Sequence, residues 1–342
     1  MLDQRLKHHL AAGQLPADLL SQVRALSVNV SDATRGRITR HVQHLNHRES
    51  IRIDYGSLEK RIRKYSKTNS KRSQAIAKTL KGIEAKLTRN EAGYWHRPYV
   101  SPFHTKTGRD CALGSSLNQI PKEYWPRLLS APKGSVYVLL DYCQQEPVIA
   151  AYLAGCKKLL EWYDKGDIYG QLAGALTQSK LTREQSKQLL VGRLYGMGFN
   201  TIAEKLGVSL DLAKEWLNKL SCLIYPIEPY LDAQARDIKK QGEAHSLGWR
   251  HAVSDSDSYL SLRNWQVQAT GADIMRRACI SLDEANIPLL LTNHDSFLVR
   301  LEADKFNEQL DQAIKALTVA SDDVLMGFQL RVKVEMHLPY RD

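Results

Sequence analysis

Two runs of strand-forming residues constrain this chain most, because each delivers an aspartate and mainly helical sequence separates them. Ser135–Asp141 (SVYVLLD) is β-branched and apolar. Pro288–Leu301 (PLLLTNHDSFLVRL) reads as two apolar runs about a polar centre, a hairpin with His294 and Asp295 at its turn. A closing stretch, Phe328–His337, alternates apolar with polar residues as a half-buried strand does. Helical spacing fills the interval at Val148–Tyr163, Asp167–Leu176, Arg183–Tyr195, Thr201–Leu206, Leu210–Lys219, Glu228–Gln241 and Leu262–Ala285. The pattern predicts an α+β fold whose strands are distant in sequence.

Ahead of the first strand, residues 1–30 read as one or two short helices. Ser57–Leu87 reads as two basic helices joined by a turn near Thr68–Ser70, and Tyr94–Ala131 is irregular because its prolines block long helices. The formal net charge is +11 over 342 residues, and it is local. Residues 31–100 hold 17 Lys and Arg against six Asp and Glu, so the rest of the chain is balanced. A localised excess of this kind suits a polyanion, either nucleic acid or a lipid surface. No apolar run approaches the ~18 residues of a membrane span. The five cysteines are scattered without a C-x-x-C pair, which fits a reducing, cytoplasmic setting.

Three constellations could carry chemistry. Asp141 and Asp295, at the ends of strands, suit a divalent cation such as Mg²⁺, which takes few protein oxygens; an Asp at a hairpin turn can equally cap its own backbone. Arg183, Lys187, Val191 and Tyr195 recur at four-residue intervals along one helical face, which could grip a triphosphate and stack a base or be a solvated basic face. Asn264 and Gln268 are amides one turn apart, able to reach minor-groove acceptors, though paired polar residues on an exposed helix are commoner.

These signals occur in an order that resembles the polymerase core of family A DNA polymerases, the group of bacterial DNA polymerase I. Asp141-Tyr142-Cys143-Gln144-Gln145-Glu146 resembles the family's D-Y-S-Q-x-E, with Cys for Ser. Arg183 through Gly196 resembles R-x-x-x-K-x-x-x-F-x-x-x-Y-G, with Val191 for the aromatic, and Asn293-His294-Asp295-Ser296 resembles V-H-D-E, with Ser for Glu. Thr107-Gly108-Arg109 with Leu117–Pro121 is similar to the T-G-R and L-Q-N-I-P segment. Gly166–Tyr169 is similar to the D-I-H turn, and Asn264 through Thr270 to N-x-x-x-Q-G-T. The resemblance covers about residues 100–342.

It implies a right-hand polymerase fold: a palm with an antiparallel sheet (101–166 and 246–342), helical fingers (167–245), and a reduced, thumb-like basic helical region (31–100) after an N-terminal helical segment (1–30). By resemblance, Asp141, Asp295 and the backbone carbonyl of Tyr142 hold two Mg²⁺ ions, with Mn²⁺ able to take their place. Arg183, Lys187, Val191, Tyr195, Glu146 and Gln144 bind the dNTP. Lys187 also protonates the leaving pyrophosphate, and Glu146 blocks a ribose 2′-hydroxyl. Arg109, Asn264, Gln268 and His294 contact the primer-template, with Arg61, Lys64, Lys67, Lys71 and Arg72 on its phosphates. The implied partners are primer-template DNA and dNTPs, with no membrane, in a bacterial cytoplasm or encoded by a phage or mobile element. Roughly 100 residues before Thr107 leave no room for an exonuclease domain, so proofreading is expected to be absent. The alternatives are an RNA polymerase or primase-like enzyme of the same fold and an inactive nucleic-acid-binding protein.

Overall fold

The computed structural model describes residues 51–68, 70–87, 94–95, 99–113, 117–176, 181–247 and 249–341. The helices expected in residues 1–30 lie outside them. Two compact units emerge: one comprises Lys106–Arg109 and Gln144–Asp273, the other Asp110–Cys143 and Ile274–Asp342 with the described residues before Lys106.

In the second unit the distant strands meet as an antiparallel sheet in the order Val332–Pro339, Ser135–Tyr142, Ser296–Glu302, Leu289–Asn293. Ser135–Tyr142 is central because its residues are apolar on both faces, and every one from Tyr137 to Tyr142 is buried. Pleating sends Tyr137, Leu139 and Asp141 to one face and Val138, Leu140 and Tyr142 to the other. On the first face Tyr137, Leu139, Leu291 and Leu298 share a core with Leu117, Ile120 and Trp125. Leu58 and Ile62 of the Tyr55–Ser66 helix and Leu80 and Ile83 of the Lys71–Glu84 helix join the same core. The two basic helices expected around the Thr68–Ser70 break are therefore present, with apolar stripes turned to the sheet and lysines outward. On the opposite face Tyr142 stacks edge-on with Phe297 at 5.7 Å and donates its hydroxyl to the Leu317 carbonyl at 2.6 Å. Leu317 lies on the Phe306–Val324 helix, which the sequence reading passed over although Phe306, Leu310, Ala313, Ile314 and Leu317 keep helical spacing.

The first unit is helical. Arg183–Leu194 packs against Gln145–Leu153, Ile168–Ala175, Phe199–Leu206 and Leu210–Leu223, and Thr182 with Gln185 closes a capping box at its start. Two expectations are corrected and one gap is filled. Val148–Tyr163 is two helices, Gln145–Leu153 and Lys157–Asp164, because Gly155 between them takes a left-handed φ of +64°. Leu262–Ala285 is likewise two, Tyr259–Arg263 and Trp265–Glu284, with Asn264 at the junction. The stretch Glu243–Ala252, unassigned from sequence, is a hairpin pairing Glu243–Ser246 with Trp249–Ala252.

Candidate functional site

The sheet register brings the two aspartates to one end of the second unit. Asp141 lies opposite Ser296 on one neighbouring strand and Lys333 on the other. The intervening turn holds His294 at a φ of +55°, and the Tyr142 amide donates to the Asp295 carbonyl at 3.1 Å, which ties the turn to the central strand. Burial first, then the charge of Asp295, pushes the Asp141 carboxyl up to about 7. Mutual repulsion between hard carboxylate oxygens is what a divalent cation relieves, so the donor set fits the ion expected from sequence. Among the described residues no group of three or more His, Cys, Asp or Glu forms a closed metal cage. Mg²⁺ needs none, since water and phosphate fill its remaining positions.

Ser296, directly across from Asp141, brings no carboxylate to that pair. It is fully buried and donates its hydroxyl to the Asn293 carbonyl at 2.8 Å. His294 is exposed beside it.

In the first unit Arg183 is paired bidentately with Asp167, Nε to Oδ2 at 2.7 Å and Nη2 to Oδ1 at 3.0 Å, while its guanidinium lies over the Tyr169 ring. Asp167 also caps Ile168–Ala175 through the Tyr169 and Gly170 amides and accepts from Gln144 Nε2 at 2.7 Å. Burial alone would raise the Asp167 carboxyl; Arg183, with Gln144 and the Gly170 amide, outweighs it and holds the group below its usual range. Gln144 and Arg183 thus converge on an acid that the sequence offered only as a helix-start turn. Lys187 is exposed, Val191 is half-buried, and Tyr195 follows the last helical residue as its C-cap. The helix end is braced by Arg193 on Glu228 and by buried Arg263, which donates to the Arg193 carbonyl at 3.1 Å and pairs with Asp232 at 2.7 Å.

Glu146, in the first turn of Gln145–Leu153, accepts from the Tyr195 hydroxyl at 2.9 Å and forms an ion pair with Arg109. Burial and the neighbouring Glu146 charge push the Tyr195 hydroxyl up to about 12, so it remains a donor. Arg109 sits on a clamped segment. The Lys106 carbonyl accepts from both indoles, Trp249 at 3.0 Å and Trp265 at 2.8 Å. The Lys106 ammonium meets buried Asp257 at 2.5 Å. Gly108 has a φ of +74°, and a Cβ there would come within 2.9 Å of the Trp249 ring, so only glycine fits.

Asn264 is almost fully buried, and neither side-chain amide atom has a hydrogen-bond partner among the described residues; Gln268, one turn on, is half-buried. A buried, unsatisfied amide costs roughly 1–3 kcal/mol, and an incoming hydrogen-bonding ligand would recover that cost. Arg61 is half-buried, and Lys64, Lys67, Lys71 and Arg72 are exposed at the turn between the two basic helices. The residues sequence reading missed are Lys122, Lys333 and Glu335 around Asp141, Asp167 beneath Arg183, and the Trp249, Trp265 and Asp257 clamp. Only the aspartate of the Gly166–Tyr169 turn carried a local signal.

The DNA polymerase of Mycobacterium phage D29 is 29% identical over 240 residues, 67% of this chain and 39% of that protein. The thermostable DNA polymerase I of Thermus aquaticus is 24% identical over 388 residues, 96% of this chain and 46% of that protein. This chain thus spans less than half the length of either relative. The POL domain of Pol1 from M. smegmatis, solved in complex with DNA primer-template and dNTP, shares the fold with a TM-score of 0.73 at 18% identity over 93% of this chain and 71% of that one. The pattern of DNA polymerase family A runs from residue 19 to residue 340 and takes in both aspartates, the Arg183 helix and the Glu146 turn, so the chain belongs to that family.

Proposed function

We propose that the chain is a template-directed DNA polymerase that transfers a nucleotide from a dNTP to a primer 3′-hydroxyl without proofreading, in a palm (101–166 and 246–342), fingers (167–245) and thumb-like (31–100) arrangement. The observation that carries this reading is the placement of Asp141 at the end of a buried antiparallel sheet, opposite Ser296, with the Asp295 turn tied to the same strand through the Tyr142 amide. Two Mg²⁺ ions held by these carboxylates and the Tyr142 carbonyl would lower the pKa of the primer hydroxyl and offset charge on the leaving pyrophosphate.

The chain's own residues do the rest. Arg183, engaged with Asp167, exchanges that carboxylate for a triphosphate of higher charge, and exposed Lys187 grips the same anion and donates a proton to the departing pyrophosphate. Glu146, fixed by Tyr195 and Arg109, walls off the position of a 2′-hydroxyl. Asn264, Gln268, Arg109 and His294 read sugar and minor-groove acceptors, which would satisfy the buried Asn264 amide. The basic helices at 55–84 take duplex phosphates. The setting is the cytoplasm of a bacterium or phage-infected cell.

Primer extension with dNTPs, then NTPs, then without template tests the reading. Template-directed dNTP incorporation is expected, and preferential ribonucleotide incorporation would instead indicate an RNA polymerase of the same fold. Asp295→Asn should abolish extension while leaving DNA affinity within a few-fold, since phosphate contacts elsewhere supply binding; near-wild-type extension refutes the assignment.

A further inference from the structure

One ammonium group touches three strands at the catalytic end of the sheet. Lys122 opens the helical turn Lys122–Tyr124, placed there because Leu117, Ile120 and Trp125 on either side are anchored in the core below. Its Nζ lies 2.7 Å from Glu335 Oε2, 3.4 Å from Ser296 Oγ and 3.8 Å from Asp141 Oδ2. The first distance is a charge-assisted hydrogen bond; the last is an ion pair without one. Glu335 owes its place to a β-bulge: on the edge strand Val334 pairs with Leu140 and Met336 with Leu139, leaving Glu335 as the extra residue. A bulge re-aims the side chain it carries. Here that side chain meets Lys122, from a residue 213 positions earlier in the chain.

We propose that Lys122 is a positioning residue that competes with a divalent cation for Asp141, and that Glu335 holds its ammonium away from that carboxylate. The inference rests on the metal-site reading above. Two cations cannot share one carboxylate oxygen without repulsion, and the ammonium is within about one side-chain rotation of Asp141 Oδ2. Glu335 wins by the shorter contact and so leaves Asp141 able to accept a metal. Lys333, 3.5 Å from Asp141 Oδ1 on an exposed stem, adds repulsion that Glu335 does not govern. Metal affinity is therefore set by a three-way balance: Asp141 attracts, Lys122 opposes, and Glu335 restrains Lys122.

The test titrates Mn²⁺ into the full chain without DNA or nucleotide, following the unbound-ion signal by electron paramagnetic resonance, so no turnover is involved. Lys122→Met should tighten binding by about three- to tenfold, because it removes the competing charge. Glu335→Gln should weaken it by about tenfold, because the ammonium then turns to Asp141. In the Lys122→Met background, Glu335→Gln should change affinity by less than about twofold, the signature of one residue acting through the other. Lys122→Arg keeps the charge and should remain close to wild type, which separates loss of charge from misfolding. Equal weakening by Glu335→Gln in both backgrounds would make Glu335 a ligand in its own right and overturn the proposal, as would unchanged affinity in Lys122→Met. Asp141→Asn is the reference: if it abolishes Mn²⁺ binding while the Lys122 and Glu335 variants have no effect, the metal site stands and this inference alone falls. If the wild type binds no Mn²⁺, or Asp141→Asn binds as the wild type does, both fall.

Discussion

Asp141→Asn should stabilise the folded chain at alkaline pH while removing primer extension. Burial and Asp295 raise the Asp141 carboxyl from 3.8 to about 7 in the folded state, whereas in the unfolded chain it titrates normally. Between those values the folded state binds the extra proton, so this group's contribution to stability is intact below about pH 4 and is lost as pH rises to about 7. A shift of about three units at 1.36 kcal/mol each is about 4 kcal/mol above pH 7. Asparagine removes the charge but leaves a buried amide to be satisfied, so roughly half of that, about 2 kcal/mol, should be recovered. For a chain of this length that is about 3 °C in Tm. The assay is thermal and urea unfolding of both proteins in EDTA at pH 4 and pH 8.5. The variant should be less stable than the wild type by about 2 kcal/mol at the acid end, where the wild-type carboxyl is neutral and only the amide cost remains, and more stable by about 2 kcal/mol at the alkaline end, and Mg²⁺ should then stabilise the wild type more than Asp141→Asn. A variant no more stable than the wild type at pH 8.5, or equally favoured at both pH values, would refute the electrostatic reasoning.

Glu146→Ala removes the wall that Tyr195 and Arg109 hold in place, and should raise ribonucleotide use relative to deoxynucleotide use in single-nucleotide insertion; an unchanged ratio would put the gate elsewhere. Replacing Arg61, Lys64, Lys67, Lys71 and Arg72 by Ala should flatten the salt dependence of log K for duplex DNA by up to about four units and shorten products per encounter. Chemistry on saturating primer-template should survive, and loss of single-nucleotide insertion at an unchanged salt slope would refute the thumb-like role. The purified 342-residue chain should extend from or stall at a mispaired 3′ end without releasing mononucleotides, since residues 1–100 offer no D-x-E strand pattern.

Much of what depends on neighbours within about four residues was legible in the sequence, although the Phe306–Val324 helix and the Glu243–Ala252 hairpin, local as they are, were passed over. The Ser135–Tyr142 strand and the Leu289–Glu302 hairpin follow from apolar runs around a turn, and the Arg183–Leu194 helix from its period. The paired basic helices follow from their break at Thr68–Ser70. The candidate residues Asp141, Asp295, Arg183, Lys187, Glu146 and Tyr195 were legible through motif spacing, because each motif is a short contiguous run on one helix or across one turn. Tertiary structure alone decided what those residues touch. Lys122 meets Glu335 across 213 positions and two tryptophans close on Lys106 across 143 and 159, while Arg183 finds Asp167 from a neighbouring helix. No local period encodes such contacts, since they arise when separate apolar faces are buried together and bring their polar edges into register. The bulge at Glu335 is the clearest case: one extra residue in an edge strand, invisible in an alternating sequence, sets which side chain reaches the ammonium beside Asp141.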